Sequence, residues 1–184
     1  KLGTKGDAQI IEALRQDTEA LFRVDANCGW QLDEAIALSS ELSRQGVEFI
    51  EQPLASENKD AQGRLFHESV LPLVADESCV AERDVMQCVG GFHGVNIKLS
   101  KCGGLTPARR MINLARDHGL KVMVGCMTES SVGISAAAQL APLIDYADLD
   151  GAVLLAEDTA NGVKLDRGSL IYPDLPGCGI YDFK

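Results

Sequence analysis

The chain is poor in the features that mark several large protein classes. It has three histidines and one tryptophan in 184 residues, and none of its six cysteines belongs to a Cys-x-x-Cys pair. Cys28, Cys79, Cys88, Cys102, Cys126 and Cys178 are scattered instead, which argues against a zinc site and favours reduced thiols in a cytoplasmic protein over a disulfide framework. No apolar run approaches the roughly 18 residues that span a bilayer, and Lys1-Leu2-Gly3-Thr4-Lys5 has no apolar stretch of the signal-peptide kind. Positive charge is scarce too. Seventeen Lys and Arg against 27 Asp and Glu leave a net charge of −10, which argues against nucleic acid and against an anionic membrane as partners. No G-x-G-x-x-G or G-x-x-x-x-G-K-[ST] follows any apolar run, so nucleotide-binding folds lose their best support.

What the chain does have is a repeat. Three short apolar runs end on an acid: Phe22-Arg23-Val24-Asp25, Phe49-Ile50-Glu51 followed by Gln52-Pro53, and Leu73-Val74-Ala75-Asp76. The acids are 26 and 25 residues apart, the length of one strand, one helix and two loops in a parallel βα series. Three carboxylates would then stand side by side on one rim of a sheet.

The same rhythm runs along the chain. Asp7 offers an N-cap to a first helix bearing Ile10, Ile11, Leu14 and Leu21, and a second helix is expected from about Asp33 until Gly46 stops it. A third lies between Asn58 and Ser69, and a short one runs from Glu82 to Val89 before Gly90-Gly91. Gly94 to Lys98 reads as strand. Thr106-Pro107 reads as N-cap and first residue of a helix with Ala108, Met111, Ile112 and Ala115 inward, and Gly119 ends it. Lys121 to Gly125 is expected as strand, Ser130 to Leu140 as helix before Pro142, and Tyr146 to Asp150 as the last strand. Residues 1–150 are therefore βα repeats, and residues 151–184, rich in Gly, Asp and Pro, form a C-terminal extension of loops and short strands. The fold class is α/β. Such units fit an open doubly wound sheet or most of a (β/α)8 barrel of the TIM type, and the gathering of Asp25, Glu51, Asp76, Lys98 and Asp150 at strand ends favours the barrel.

Three acids with no cysteine or histidine beside them make an all-oxygen site suited to a hard ion such as Mg²⁺. Each acid alone could equally cap the following helix or pair with a lysine. Lys98, ending the strand after Asp76, is either a structural counter-charge or a base, and a nearby dication would favour the neutral amine that a base needs.

Lys1, Asp25-Ala26-Asn27 with Gly29-Trp30, Glu51-Gln52-Pro53, Ala75-Asp76-Glu77-Ser78, and Asn96-Ile97-Lys98 with Cys102-Gly103-Gly104 resemble the enolase superfamily, in particular its muconate lactonising enzyme subgroup. The resemblance implies that Asp25, Glu51 and Asp76 bind Mg²⁺ and that Lys98 is one acid/base. Lys1, one repeat before Asp25, matches the second lysine of the family's Lys-x-Lys motif and would be the other. The chain then covers the barrel from about the end of strand 2 to strand 8. The capping domain and first strands of family members would precede it, and activity would need that N-terminal segment; a homo-oligomer is compatible.

Within the subgroup, Asp148 and Asp150 resemble the Asp-x-Asp of dipeptide epimerases, which receives the substrate's α-ammonium group. On an extended strand two such acids point the same way. Glu129 matches a loop position near the substrate and either binds the dipeptide or caps the next helix. The implied reaction is a Mg²⁺-dependent 1,1-proton transfer at the α-carbon of the dipeptide's C-terminal residue, through an enediolate. Rival readings are another enzyme of the subgroup (a cycloisomerase, o-succinylbenzoate synthase or N-acylamino acid racemase) or a non-catalytic barrel fragment.

Overall fold

A computed structural model describes residues 1–184. In chain order the elements are α1 (Asp7–Arg15), β1 (Phe22–Asp25), α2 (Leu32–Arg44), β2 (Val47–Glu51), α3 (Lys59–Glu68), β3 (Leu73–Ala75), α4 (Glu82–Cys88), β4 (Gly94–Lys98), α5 (Leu99–Cys102), α6 (Leu105–Asp117), β5 (Lys121–Gly125), α7 (Ser131–Ala138), β6 (Tyr146–Ala147), β7 (Lys164–Asp166) and β8 (Ser169–Ile171). The first six strands lie in one sheet in the order β1-β2-β3-β4-β5-β6. Strands adjacent in sequence are thus adjacent in the sheet throughout, the succession of a (β/α)8 barrel; a doubly wound sheet reverses its order at a switch point.

The chain divides into two compact units. The first comprises Lys1–Cys79 and Arg83–Val95. Its strands pair in parallel, with Asp25 opposite Glu51, Glu51 opposite Val74, and Ala75 opposite Val95. β3 is an unbroken apolar run buried throughout, and Phe49, Ile50, Leu73 and Val74 are buried. The second unit comprises Val80–Glu82 and Asn96–Lys184. There β5 and β6 pair in parallel, and α6 buries Ala108, Met111, Ile112 and Ala115, the expected helical stripe. The C-terminal extension forms the antiparallel pair β7-β8 and fastens to α7. Asp158 accepts hydrogen bonds from the Ser131 amide and hydroxyl, the Val163 amide donates to Ser135, and the Tyr172 hydroxyl donates to the Ala138 carbonyl.

Four expectations need correction. The carboxylate of Asp7 does not cap α1; Gly6, in the left-handed region, holds the cap position, and Asp7 turns back into the preceding loop. α1 ends at Arg15, leaving Leu21 outside it and exposed. α6 begins at Leu105 after Gly104, so Thr106 and Pro107 lie within its first turn, and the four-residue α5 before it was not foreseen. β6 stops at Ala147, and Asp150 adopts helical dihedrals ahead of a 3₁₀ turn over Gly151–Leu154.

Candidate functional site

In the first unit, strand geometry places the acids. Asp25 and Glu51 are register partners at the ends of β1 and β2, and Asp76 follows β3; they are 7%, 5% and 2% exposed. The ladder continues past the strand ends, because the Ala26 amide donates to the Glu51 carbonyl, Cys28 to Gln52, and Gln52 to Val74. Asn27, Cys28 and Gln52 stand there at positive φ, a conformation costly for side-chain-bearing residues that concentrates at functional sites.

Gln52 is the strap between these ends. Fully buried, its Oε1 accepts from the Asp76 and Ser78 amides at 3.0 and 3.1 Å, and its Nε2 donates to the Leu54 carbonyl and the Ser78 hydroxyl. The Gln52 amide thereby fixes the backbone that carries Asp76.

Lys1 reaches the same rim. Its Nζ donates to Asp25 Oδ2 at 2.5 Å, while Oδ1 accepts from the Asn27 amide at 2.8 Å. Next to it, the Leu2 amide donates to the Asp25 carbonyl. The Lys1 loop lies so close to the loop after β1 that a Cβ on Gly3 would stand 2.2 Å from the Ala26 carbonyl oxygen, and one on Gly29 would stand 2.5 Å from the Gly3 Cα.

One neighbour of the acids, Glu77, was not singled out from the sequence. One oxygen of Glu77 is buried without a hydrogen-bond partner beside Asp76, a signal that only coordinates carry. The Cys28 thiol is pushed up to about 11, by burial first and then by Glu77, which also accepts its hydrogen bond, and by Asp25 and Glu57. It is an inert thiol at neutral pH.

No three Asp, Glu, His or Cys side chains converge as they stand into a set that could hold a metal ion. The donor chemistry nevertheless fits a hard dication, with three buried carboxylates on adjacent strand ends and no imidazole among them. Lys1 and the Asn27 amide are the partners with which such an ion would compete for Asp25.

The second unit carries the other candidates. Lys98 ends β4, 8% exposed, and forms the N-cap of α5. Asp148 and Asp150 are exposed on either side of buried Leu149, and the Asp148 amide donates to the Val124 carbonyl. The extended strand expected there is absent, and what the two acids have in common is that both act on the Cys126 thiol. Glu129 folds over α7, with Oε1 accepting from the Met127 amide and Oε2 occupying the space where a Gly133 side chain would stand. Cys126 is pushed up to about 11, by burial foremost and then by the Asp148, Asp150 and Glu129 carboxylates, against a hydrogen bond from the Gly151 amide.

Comparison with known proteins then gives a consistent picture. The family model described as "Enolase C-terminal domain-like" matches residues 1–181. An L-Ala-D/L-amino acid epimerase of Flavobacterium johnsoniae is 56% identical over 180 residues, covering 98% of this chain and 54% of that protein. A substrate-liganded L-Ala-D/L-Glu epimerase of Bacillus subtilis superposes with a TM-score of 0.93 at 29% identity, covering 100% of this chain and 55% of that one. A dipeptide epimerase of Cytophaga hutchinsonii, in complex with Mg and the dipeptide D-Ala-L-Val, gives a TM-score of 0.92 at 29% identity, with 100% and 53% covered. The chain spans about half the length of the curated relatives it matches.

Proposed function

Since the chain belongs to the enolase C-terminal domain-like family, we propose that it forms the larger part of the catalytic barrel of a cytoplasmic dipeptide epimerase. The reaction is an isomerisation, moving a proton off and back onto the α-carbon of the substrate's C-terminal residue. The observation that carries this reading is the pair Asp148 and Asp150, exposed on either side of buried Leu149, because an ammonium-bearing substrate needs two such acids and the rival substrates of the subgroup do not. The names of curated relatives, among them an L-Ala-D/L-amino acid epimerase, an L-Ala-D/L-Glu epimerase and a hydrophobic dipeptide epimerase, support it.

Asp25, Glu51 and Asp76 would hold Mg²⁺; a Mg complex of the Cytophaga hutchinsonii dipeptide epimerase supports the identity of the ion. When bound, the ion supplies concentrated positive charge to a substrate carboxylate, which acidifies the neighbouring α-carbon. Lys1 and Lys98 address the two faces of that carbon, each as base toward one configuration and as acid toward the other, with an enediolate between the two transfers. Asp148 and Asp150 receive the α-ammonium group, and Glu129 lies where it can contact the rest of the dipeptide. Residues 1–150 are the βα repeats of this machine and 151–184 its extension, and catalysis requires the remainder of the full-length protein.

The test uses that full-length protein with Mg²⁺. L,L-dipeptides, beginning with L-Ala-L-Glu, are incubated in D₂O and deuterium at the α-carbon is followed by mass spectrometry. Exchange at the C-terminal residue, with epimerisation lost in Lys98→Ala, is the expected result. Turnover of an N-acyl amino acid or a cycloisomerase substrate with no dipeptide exchange would overturn it.

A further inference from the structure

We propose that Asp7 is a positioning residue that holds Lys1 for proton transfer; the inference rests on the reading of Lys1 as an acid/base. Asp7 is 2% exposed, yet every hydrogen-bond donor to its carboxylate is uncharged. The Gly3 amide donates at 2.7 Å, the Thr4 amide at 3.1 Å to both oxygens, the Thr4 hydroxyl at 2.9 Å and the Trp30 indole at 2.7 Å. Burial pushes its pKa up, but these bonds outweigh it and hold the carboxyl below its ordinary range. A buried charge without a counter-ion is expensive, so its retention calls for a reason.

The donors supply that reason. Gly3 and Thr4 belong to the loop that begins with Lys1, and Trp30 belongs to the loop that follows Asp25. One carboxylate therefore binds together the two segments that carry Lys1 and its partner, which touch backbone to backbone at Gly3, Ala26 and Gly29. Lys1 needs this. Its location follows from the backbone at Leu2 and Gly3, which Asp7 holds, and from the bond to Asp25. An asparagine at position 7 would present an NH₂ to donors that need an acceptor, and would lose at least one of these bonds.

The test separates positioning from general structural damage by stereochemistry. In the full-length protein with Mg²⁺, α-deuterium exchange is measured separately for the two configurations of the substrate's C-terminal residue, and Lys1→Ala identifies the configuration that Lys1 serves. Asp7→Asn is expected to slow exchange of that configuration by about tenfold or more, chiefly in kcat, and to leave the other within about threefold, because small misplacement of a reacting group is costly. Trp30→Phe, which removes the indole donor along with part of a buried ring, should show the same asymmetry more weakly, and it decides the matter if Asp7→Asn does not fold. Equal losses for both configurations, or no loss in a folded variant, would overturn the proposal. If Lys1→Ala itself produces no asymmetry, the role of Lys1 fails and the proposal falls with it, whereas asymmetry in Lys1→Ala alone refutes only the role of Asp7.

Discussion

The ammonium group of Lys1 and a carboxylate oxygen of Asp25 lie 2.5 Å apart, across 24 residues of sequence. The proposed acid/base and a proposed metal ligand thus share one bond. Asp25→Asn in the full-length protein removes a charged ligand, and Mg²⁺ affinity measured by titration calorimetry is expected to fall at least about tenfold. Unchanged affinity with lost exchange would make Asp25 the partner of Lys1 and no more.

The second prediction concerns Gln52. Replacement by Leu keeps the volume but strands the Asp76 and Ser78 amides and the Leu54 carbonyl, all of which the buried amide now satisfies. Leaving buried polar groups unpaired costs about 1–3 kcal/mol each, less where they relax, so a loss of roughly 2–4 kcal/mol is expected. Urea unfolding checks it through the midpoint, and a loss under about 1 kcal/mol would show that the strap is dispensable.

These two residues also mark the limit of what local sequence reveals. Asp25, Glu51 and Asp76 were legible because a βα repeat returns each strand end to an equivalent place, and Gly46 and Gly119 were legible as helix stops, both standing at positive φ. Gln52 was legible as a strand-end residue but not as a strap, since its partners stand up to 26 residues away. Asp7 followed the composition rule for an N-cap, yet its donors lie behind the helix and on Trp30, so tertiary contacts decided its role. The strand assigned to Tyr146 through Asp150 ends at Ala147, because Asp150 turns helical ahead of the Gly151–Leu154 turn.

Cys126 reports on those acids. With its thiol pushed up to about 11, only on the order of one thiolate in a thousand is present near pH 8, and alkylation by iodoacetamide is expected to be slow. Asp150→Asn removes one of the carboxylates that raise it, so peptide mass spectrometry should find Cys126 alkylated several-fold faster at the same pH. An unchanged rate would mean that Asp150 does not act on the thiol.

Asp145 links stability to pH. Burial pushes its pKa up, but the Val122 amide, Lys121 and Arg116 outweigh burial and hold the carboxyl below its ordinary 3.8. A lowered folded value means stabilisation that is present above the ordinary carboxylate pKa and lost as pH falls through the folded one. Asp145→Asn should therefore be less stable than wild type near neutrality, and the gap should close as the pH drops below about 4, as read by urea midpoints across pH. A gap independent of pH would assign the loss to packing.

Gly133→Ala asks what Glu129 does. A methyl group there would stand 2.0 Å from Glu129 Oε2, the mobile end of a side chain, so the carboxylate moves and the helix does not. Alanine in a helix gains about 0.5–1 kcal/mol over glycine, and the lost bond to the Met127 amide costs about 0.5–1.5 kcal/mol, toward the low end because Met127 is exposed. Stability should therefore change by less than about 1 kcal/mol while Glu129 is set free. If Glu129 contacts the dipeptide, KM changes severalfold in both Gly133→Ala and Glu129→Gln with kcat nearly constant, the signature of binding shared by ground state and transition state. If it serves only the backbone of its own loop, neither variant alters KM, and the role of Glu129 ends at the Met127 amide.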